Sequence, residues 1–328
     1  MRNMKVQFNL TDSRYDLERF ASRSELEDLL KDFDGIELMH LEEDVAGLLT
    51  TDMVVGYHMV MPEYWLDFWR GDLDKCILEF DTLENVRAHY HGDTPDALIQ
   101  MVRNEYENAI TYGAEYAVIH VSNASIFEEI SGRYNYTDEY VIEGFSELVN
   151  NAIPSNAAND SPWLLMENLW QPGLNFKDPK MTARLLDSVH YPKKGIMLDT
   201  GHLMHIEPAL RTQKEAVQFI HNRLDAHGEL CSYIKGVHLN QSLSGNVLER
   251  YMKRPPLLAK TYEERMNQLF EYVFQVDRHQ PFVDEGVAEL IGRIDPLYMT
   301  LEFISNNLEE HQDMLRRQKS VFTGQKEN

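Results

Sequence analysis

The sequence contains little cysteine: Cys76 and Cys231 are the two cysteines in its 328 residues. Two thiols cannot build the disulfide framework that stabilises many small secreted domains. The beginning of the sequence turns polar within a few residues and lacks the apolar run of a secretory signal peptide. We therefore expect a cytoplasmic protein in a reducing compartment.

Long apolar runs and positive charge are also scarce. No stretch approaches the roughly 18 apolar residues that a membrane-spanning helix needs, so we expect no membrane partner. The chain has 31 Lys and Arg against 54 Asp and Glu, a formal net charge of −23. Because polyanionic partners are normally bound by clustered Lys and Arg, this excess argues against nucleic acid as the main partner. A hydrophobic content of 43% still supplies a sizeable core and excludes disorder of the whole chain.

Short apolar runs alternate with longer segments of helical period along the whole chain. Eight runs predict strands, at 5–10, 35–41, 54–60, 116–121, 163–169, 195–199, 234–239 and 299–304. Helical patterns lie near 24–31, 94–112, 138–151, 178–189, 212–227, 262–275 and 307–322. Strands that are apolar almost throughout are typical of a parallel sheet buried on both faces. The pattern predicts an α/β protein: one (β/α)8 TIM-barrel domain over 1–328, with a frayed tail at about 323–328.

Polar residues follow the apolar runs of the last four predicted strands. They are Glu167, Asp199, His238 and Glu302. TIM barrels place their active sites where the strands end, so we expect these side chains to meet at one mouth. Carboxylate and imidazole groups together suit Mn²⁺, Zn²⁺, Co²⁺ or Mg²⁺, and a bound dication removes the repulsion among three carboxylates. The sequence therefore predicts a divalent-metal site at the mouth of the barrel.

Three histidines extend this pattern. In the run Asp199-Thr200-Gly201-His202, Gly201 permits a sharp turn that folds His202 back over the mouth. His58 and His120 end the third and fourth predicted strands. A single polar group at a strand end more often meets solvent or satisfies a loop, so the interpretation depends on the joint pattern.

These motifs resemble the xylose isomerase-like TIM barrels, which include sugar isomerases and epimerases and the endonuclease IV (AP endonuclease family 2) enzymes. The resemblance covers nearly the whole chain. In that superfamily, Glu on the fifth strand, Asp-x-x-His on the sixth, His on the seventh and Glu on the eighth form the metal site. The resemblance implies that Glu167, Asp199, His238 and Glu302 are metal ligands. It also implies that His58, His120 and His202 hold a second metal, or that His202 contacts substrate.

The sequence departs from both branches of this superfamily. The endonuclease IV pattern needs an Asp-x-His shortly after the seventh strand to complete a three-zinc site, and residues 242–260 contain neither Asp nor His. The ketose 3-epimerases carry a second Glu and a later Arg, where this chain has Gly173 and uncharged residues such as Gln241 and Ser242. The remaining histidines of interest are interpreted as surface or structural; they are His205, His221, His227 and His279.

The expected activity is metal-dependent isomerisation or epimerisation of a sugar-like, polyhydroxylated small molecule through an enediolate-type proton transfer. Glu167 and Glu302 are expected to remove and return the proton, and His202 to orient a substrate oxygen. The expected substrate contacts are Asn168, Trp170 and Asn240. One alternative is phosphodiester hydrolysis of the endonuclease IV type, and another is a barrel without catalytic activity. A homo-oligomer is compatible with the sequence.

Overall fold

The strands form a closed parallel barrel. The computed structural model describes residues 4–41, 47–156, 158 and 160–323. Within these residues, eight strands pair in sequence order and the last pairs with the first. The strands are β1 (Lys5–Thr11), β2 (Gly35–Met39), β3 (Val54–His58), β4 (Tyr116–His120), β5 (Trp163–Glu167), β6 (Lys194–Asp199), β7 (Ile234–Leu239) and β8 (Tyr298–Leu301). This confirms the predicted (β/α)8 barrel.

Helices follow the strands, and several of them begin at recognisable capping residues. In the described part of the chain they are α1 (Arg14–Leu17), α2 (Arg23–Leu30), α3 (Leu66–Trp69), α4 (Leu73–Phe80), α5 (Leu83–Tyr90), α6 (Asp96–Thr111), α7 (Ile126–Ser131), α8 (Asp138–Ala152), α9 (Pro179–Ser188), α10 (Thr200–His205), α11 (Gln213–His227), α12 (Gly245–Lys253), α13 (Tyr262–Val276), α14 (Gly286–Ile294) and α15 (Leu308–Thr323). Thr212 and Glu215, for example, form a capping box at α11. None of these described helices has the length and apolar content to traverse a bilayer.

The observed elements differ from the predicted ones mainly at the mouth of the barrel. The predicted strands 35–41, 54–60 and 163–169 run two residues too far, because apolar residues such as Met59 and Leu169 are buried in the loops that follow. Residues 61–92, which follow the third strand, contain α3 to α5, and residues 242–260, which follow the seventh, contain α12. Of the predicted frayed tail, Thr323 ends α15, and 324–328 lie outside the described residues.

Strand register brings the polar strand ends to one level. His120 pairs with Glu167 across β4 and β5, and Asp199 pairs with His238 across β6 and β7. The barrel interior also holds a separate apolar cluster from the strands, which consists of Val55, Tyr116, Val118, Leu165, Met197 and Tyr298. The polar strand ends therefore lie side by side in a rigid, closely packed frame.

Candidate metal centre

Nine side chains that could donate to a metal ion gather at the carboxyl ends of the strands. Among the described residues they form three groups: His58, His120 and Glu167; Glu167, Asp199, His238 and Glu302; and His202, Asp277 and His279. A tenth side chain, Glu37, forms a fourth group with His58, His238 and Glu302, which belong to the first two groups. Within each group the ligand atoms lie within 4.8 Å of one another. Glu167 belongs to the first two groups. Together, the three groups contain every residue that the sequence predicted as a metal ligand.

Glu167 lies between the first two groups and faces both. Its Oε2 lies 3.2 Å from His58 Nε2 and 3.4 Å from His120 Nε2. Its Oε1 lies 3.2 Å from His238 Nδ1 and 3.2 Å from His202 Nδ1. The carboxylate is fully buried. One oxygen is thus directed to each group, which is the arrangement of a bridging ligand.

His238 is held in place from behind by a carboxylate. Its Nδ1 lies 3.2 Å from Glu302 Oε2, and its Nε2 lies 2.9 Å from Glu37 Oε1 on β2. Glu37 Oε2 also accepts hydrogen bonds from Tyr116 and Thr300, at 2.6 Å and 2.8 Å. A carboxylate behind a histidine ligand fixes the orientation of the ring. The sequence placed Glu37 on the second strand but gave no sign that its side chain faces the barrel interior.

The third group includes two residues that the sequence analysis did not assign to the site. Asp277 Oδ2 lies 3.2 Å from His202 Nε2 and 2.8 Å from His279 Nε2. Asp277 Oδ1 lies 3.2 Å from His205 Nε2. His202 Nδ1 is 3.1 Å from the carbonyl oxygen of Asn168, which leaves Nε2 for this group.

Two expectations are therefore wrong. The first is that no Asp-x-His follows the seventh strand: Asp277-Arg278-His279 is such a motif. It lies beyond 242–260 because the connection after β7 contains both α12 and α13. The second is the surface position allowed for His279, since its side chain is buried and faces Asp277. His205 is structural as expected, but its role is to support Asp277.

Gly201 and two asparagines position Asp199 and its neighbours. Gly201 lies in α10 rather than in the expected sharp turn, and a Cβ there would lie 1.9 Å from Asn240 Oδ1. Asn240 Nδ2 donates to Asp199 Oδ2 at 2.7 Å and to Glu302 Oε2 at 3.4 Å. Asn168 uses both ends of its amide on the backbone of Asp199, at 3.0 Å each. Because both ends of its amide are occupied, we interpret Asn168 as a residue that positions Asp199 rather than as the predicted substrate contact.

The donor set fits a divalent cation. Glu167 Oε1 and His238 Nδ1 are buried and lie 3.2 Å apart, but neither makes a well-directed hydrogen bond within the described part of the chain. Buried polar atoms are normally hydrogen-bonded, so this pair needs a partner. A cation between imidazole and carboxylate groups supplies one and offsets the repulsion of the carboxylates.

A cavity of about 330 Å³ opens beside these groups. His120, His202 and Asp277 line it, so the cavity reaches the first and third donor groups. Trp170 forms part of its wall, with its ring centroid 5.3 Å from that of His202. Its role as a substrate contact stays a prediction.

A family model described as the xylose isomerase-like TIM barrel matches residues 77–317. The chain belongs to this family. The resemblance inferred from the sequence motifs is thereby confirmed. The sequence matches no curated protein.

Solved structures of two kinds are similar to this xylose isomerase-like barrel. Endonuclease IV from Thermus thermophilus is 15% identical, with a TM-score of 0.50 over 98% of this chain and 100% of that one. A D-tagatose 3-epimerase-like protein is 14% identical, with a TM-score of 0.51 over 98% and 99% of the two chains. At these identities the likeness shows the fold alone.

Charge in the xylose isomerase-like barrel is balanced between acids and histidines. Burial disfavours the charged form of His279, but Asp277 and Glu302 outweigh it and raise the pKa to about 9. Glu167 acts in the same way on His120 and raises its pKa to about 10. Burial raises the pKa of Asp199 to about 7, with a further contribution from Glu302. Protons on the histidines thus neutralise the carboxylates, and a divalent cation would displace these protons on binding.

Proposed function

We propose that this barrel is a metal-dependent phosphoesterase whose site holds three divalent ions. The observation that carries the proposal is the third donor group, in which Asp277 and His279 join His202. It supplies the Asp-x-His that the endonuclease IV resemblance requires. Each ion would then have three or four protein ligands, as zinc sites do. When bound, the ions supply Lewis acidity toward a phosphoryl oxygen and neutralise charge that develops in the transition state.

The protein side chains would hold the site in a fixed geometry. Glu167 would link the first two ion sites, because each of its oxygens faces one group. Glu37 would hold His238, and His205 would hold Asp277, each from the side away from the cavity. Trp170 would cover the third group and exclude water from it.

The charge of the chain favours a small phosphate ester over DNA as the substrate. The net charge is −23, and no Lys or Arg occurs among the described residues that line the cavity. Affinity for DNA scales with the number of phosphates that basic residues neutralise. A cavity of about 330 Å³ is large enough for a small organic group but not for a duplex.

Isomerisation or epimerisation of a sugar-like substrate is the second candidate, and the position of Glu302 favours it. The side chain of Glu302 is 13% exposed, whereas that of Glu167 is fully buried. Glu302 could therefore exchange a proton with a substrate in the mouth, with His202 and Asn240 beside it. Glu167, shared between two donor groups, is better suited to bridging ions than to moving a proton.

Parallel assays distinguish the two candidates. Protein loaded with Zn²⁺ or Mn²⁺ is incubated with bis(p-nitrophenyl) phosphate, with an abasic DNA duplex at low salt, and with ketoses in D2O. We expect metal-dependent hydrolysis of the small ester, little incision of DNA and no deuterium exchange into the ketoses. Deuterium exchange without ester hydrolysis would support the isomerase and contradict the phosphoesterase. Robust incision of DNA would contradict the choice of a small substrate.

A further inference from the structure

The cavity beside the donor groups is also lined by a buried polar pair, Glu129 and Gln171. Glu129 is 8% exposed and Gln171 is 3% exposed. Gln171 Nε2 donates to Glu129 Oε2 at 2.5 Å. The other two oxygens, Glu129 Oε1 and Gln171 Oε1, are buried and have no hydrogen-bond partner among the residues that the structure describes. Because buried acceptors are rarely left without a donor, the pair needs a donor from a ligand.

The walls around this pair favour a cationic donor. Phe80, Trp170, Tyr262 and Phe270 contribute aromatic rings to the lining. Aromatic faces attract ammonium groups, and the attraction increases when water is excluded. Besides Glu129, the carboxyl groups of Glu63 and Glu79 line the cavity, and no Lys or Arg is found among its described lining residues. An anionic group would be repelled by Glu129 at this position.

The protonation of the Glu129 carboxyl group agrees with a binding site for a cation. Burial raises the pKa of its carboxyl group to about 8. Ionising Glu129 costs free energy because the resulting carboxylate is buried away from water. A positive charge on the ligand would offset this cost. A ligand ammonium within hydrogen-bond distance supplies that charge and two or three N–H donors.

We propose that this cavity recognises the organic group of a phosphate ester through a protonated primary amine that donates to Glu129 and Gln171. The substrate class is therefore an aminoalkyl phosphate ester. The proposal rests on the phosphoesterase function above, because His120, His202 and Asp277 line the same cavity and would receive the phosphate end. The indole N–H of Trp170 is also buried, has no partner in the described part of the chain, and is available to an oxygen of the same ligand.

A matched pair of substrates tests the recognition of the amine. The esters are 2-aminoethyl p-nitrophenyl phosphate and propyl p-nitrophenyl phosphate, which differ in a terminal ammonium against a methyl group. We expect the metal-loaded protein to hydrolyse the aminoethyl ester with a kcat/KM at least about tenfold higher, the equivalent of one charged hydrogen bond. In Glu129→Gln this preference should fall to within about twofold.

Glu143→Gln is the control, because it removes one negative charge from an exposed position on α8 that is not part of the cavity. It should keep the full preference for the aminoethyl ester. Equal turnover of the two esters, or a preference that survives Glu129→Gln, would overturn the proposal.

Calorimetry separates this proposal from the phosphoesterase function. If neither ester is hydrolysed, binding of 2-aminoethyl phosphate and propyl phosphate to the metal-loaded protein is compared. Tighter binding of the amine that is lost in Glu129→Gln would keep the recognition site and reject the hydrolysis. Equal binding would reject the recognition site as well. Thermal unfolding and metal content of each variant show whether its fold and its donor groups are intact.

Discussion

Asp277 Oδ2 lies 3.2 Å from His202 Nε2, although the two residues are 75 positions apart in the chain. His202 reaches this point because α10 begins directly at the end of β6, with Asp199 as its N-cap. Asp277 reaches it because α13 ends at Val276 and the following residues return to the mouth. This contact creates the third donor group, on which the proposal of phosphoester hydrolysis rests.

Removing the charge of Asp277 should prevent the third donor group from binding an ion. In Asp277→Asn we expect one fewer bound ion per chain and a fall in phosphoester turnover of at least about 100-fold, because the site loses a ligand rather than a supporting contact. Elemental analysis and steady-state kinetics measure the two effects. Asp187→Asn, at an exposed position of α9, is the matched control. Full metal content and turnover in Asp277→Asn would exclude this residue from the site.

Glu37 should act on the metal through His238. Glu37→Gln keeps the size of the side chain but removes the charge that holds His238 Nε2. We expect metal affinity to fall by about 10-fold to 100-fold, as for other carboxylates behind histidine ligands. Competition with a chromogenic chelator measures the affinity, and circular dichroism should show an unchanged fold. An unchanged affinity would mean that the barrel wall alone orients His238.

Gly201 should tolerate no side chain. An alanine Cβ would lie 1.9 Å from Asn240 Oδ1, and Asn240 would have to leave Asp199. We expect Gly201→Ala to lower the free energy of unfolding by about 1 to 3 kcal/mol and to weaken metal binding. Gly292→Ala is the control, since it is exposed in α14 with no atom within 4 Å of the added Cβ. The control should be neutral or more stable by up to about 1 kcal/mol. Denaturant unfolding compares the two.

The buried carboxyl group of Glu129 should make stability depend on pH. Its pKa is raised by burial, then by Glu63 and Asp277, from 4.5 to about 8, against an opposing hydrogen bond from Gln171. Between these values the folded chain keeps a proton that the unfolded chain releases. The contribution is therefore fully present below pH 4.5 and is lost as pH rises toward about 8, at up to about 1.4 kcal/mol per pH unit.

Glu129→Gln removes this titration, so its stability should fall less than that of the wild type between about pH 5 and about pH 8. Urea unfolding of both proteins across this range measures the difference. Parallel pH profiles would show that Glu129 is ionised in the folded protein.

The sequence predicted the barrel because each strand carries its own apolar run and each end carries its own polar residue. His58, His120, Glu167, Asp199 and His238 could therefore be placed from local pattern alone. Asp277 and His279 could not, because the length of the connection after β7 is not encoded in any strand pattern. The available signal was the tripeptide Asp277-Arg278-His279 itself. Glu37 and Glu129 were missed for another reason: which face of a fully buried strand or short helix a side chain occupies depends on packing.

The number of metal ions at the mouth of the barrel tests the central claim most directly. Crystals of the zinc-loaded protein, measured on both sides of the zinc absorption edge, give anomalous difference peaks at bound ions. The three donor groups predict three peaks: one beside His58 and His120, one beside Asp199 and Glu302, and one beside Asp277 and His279. A single peak at Asp199 and Glu302, with no peak beside Asp277 and His279, would contradict the three-ion phosphoesterase.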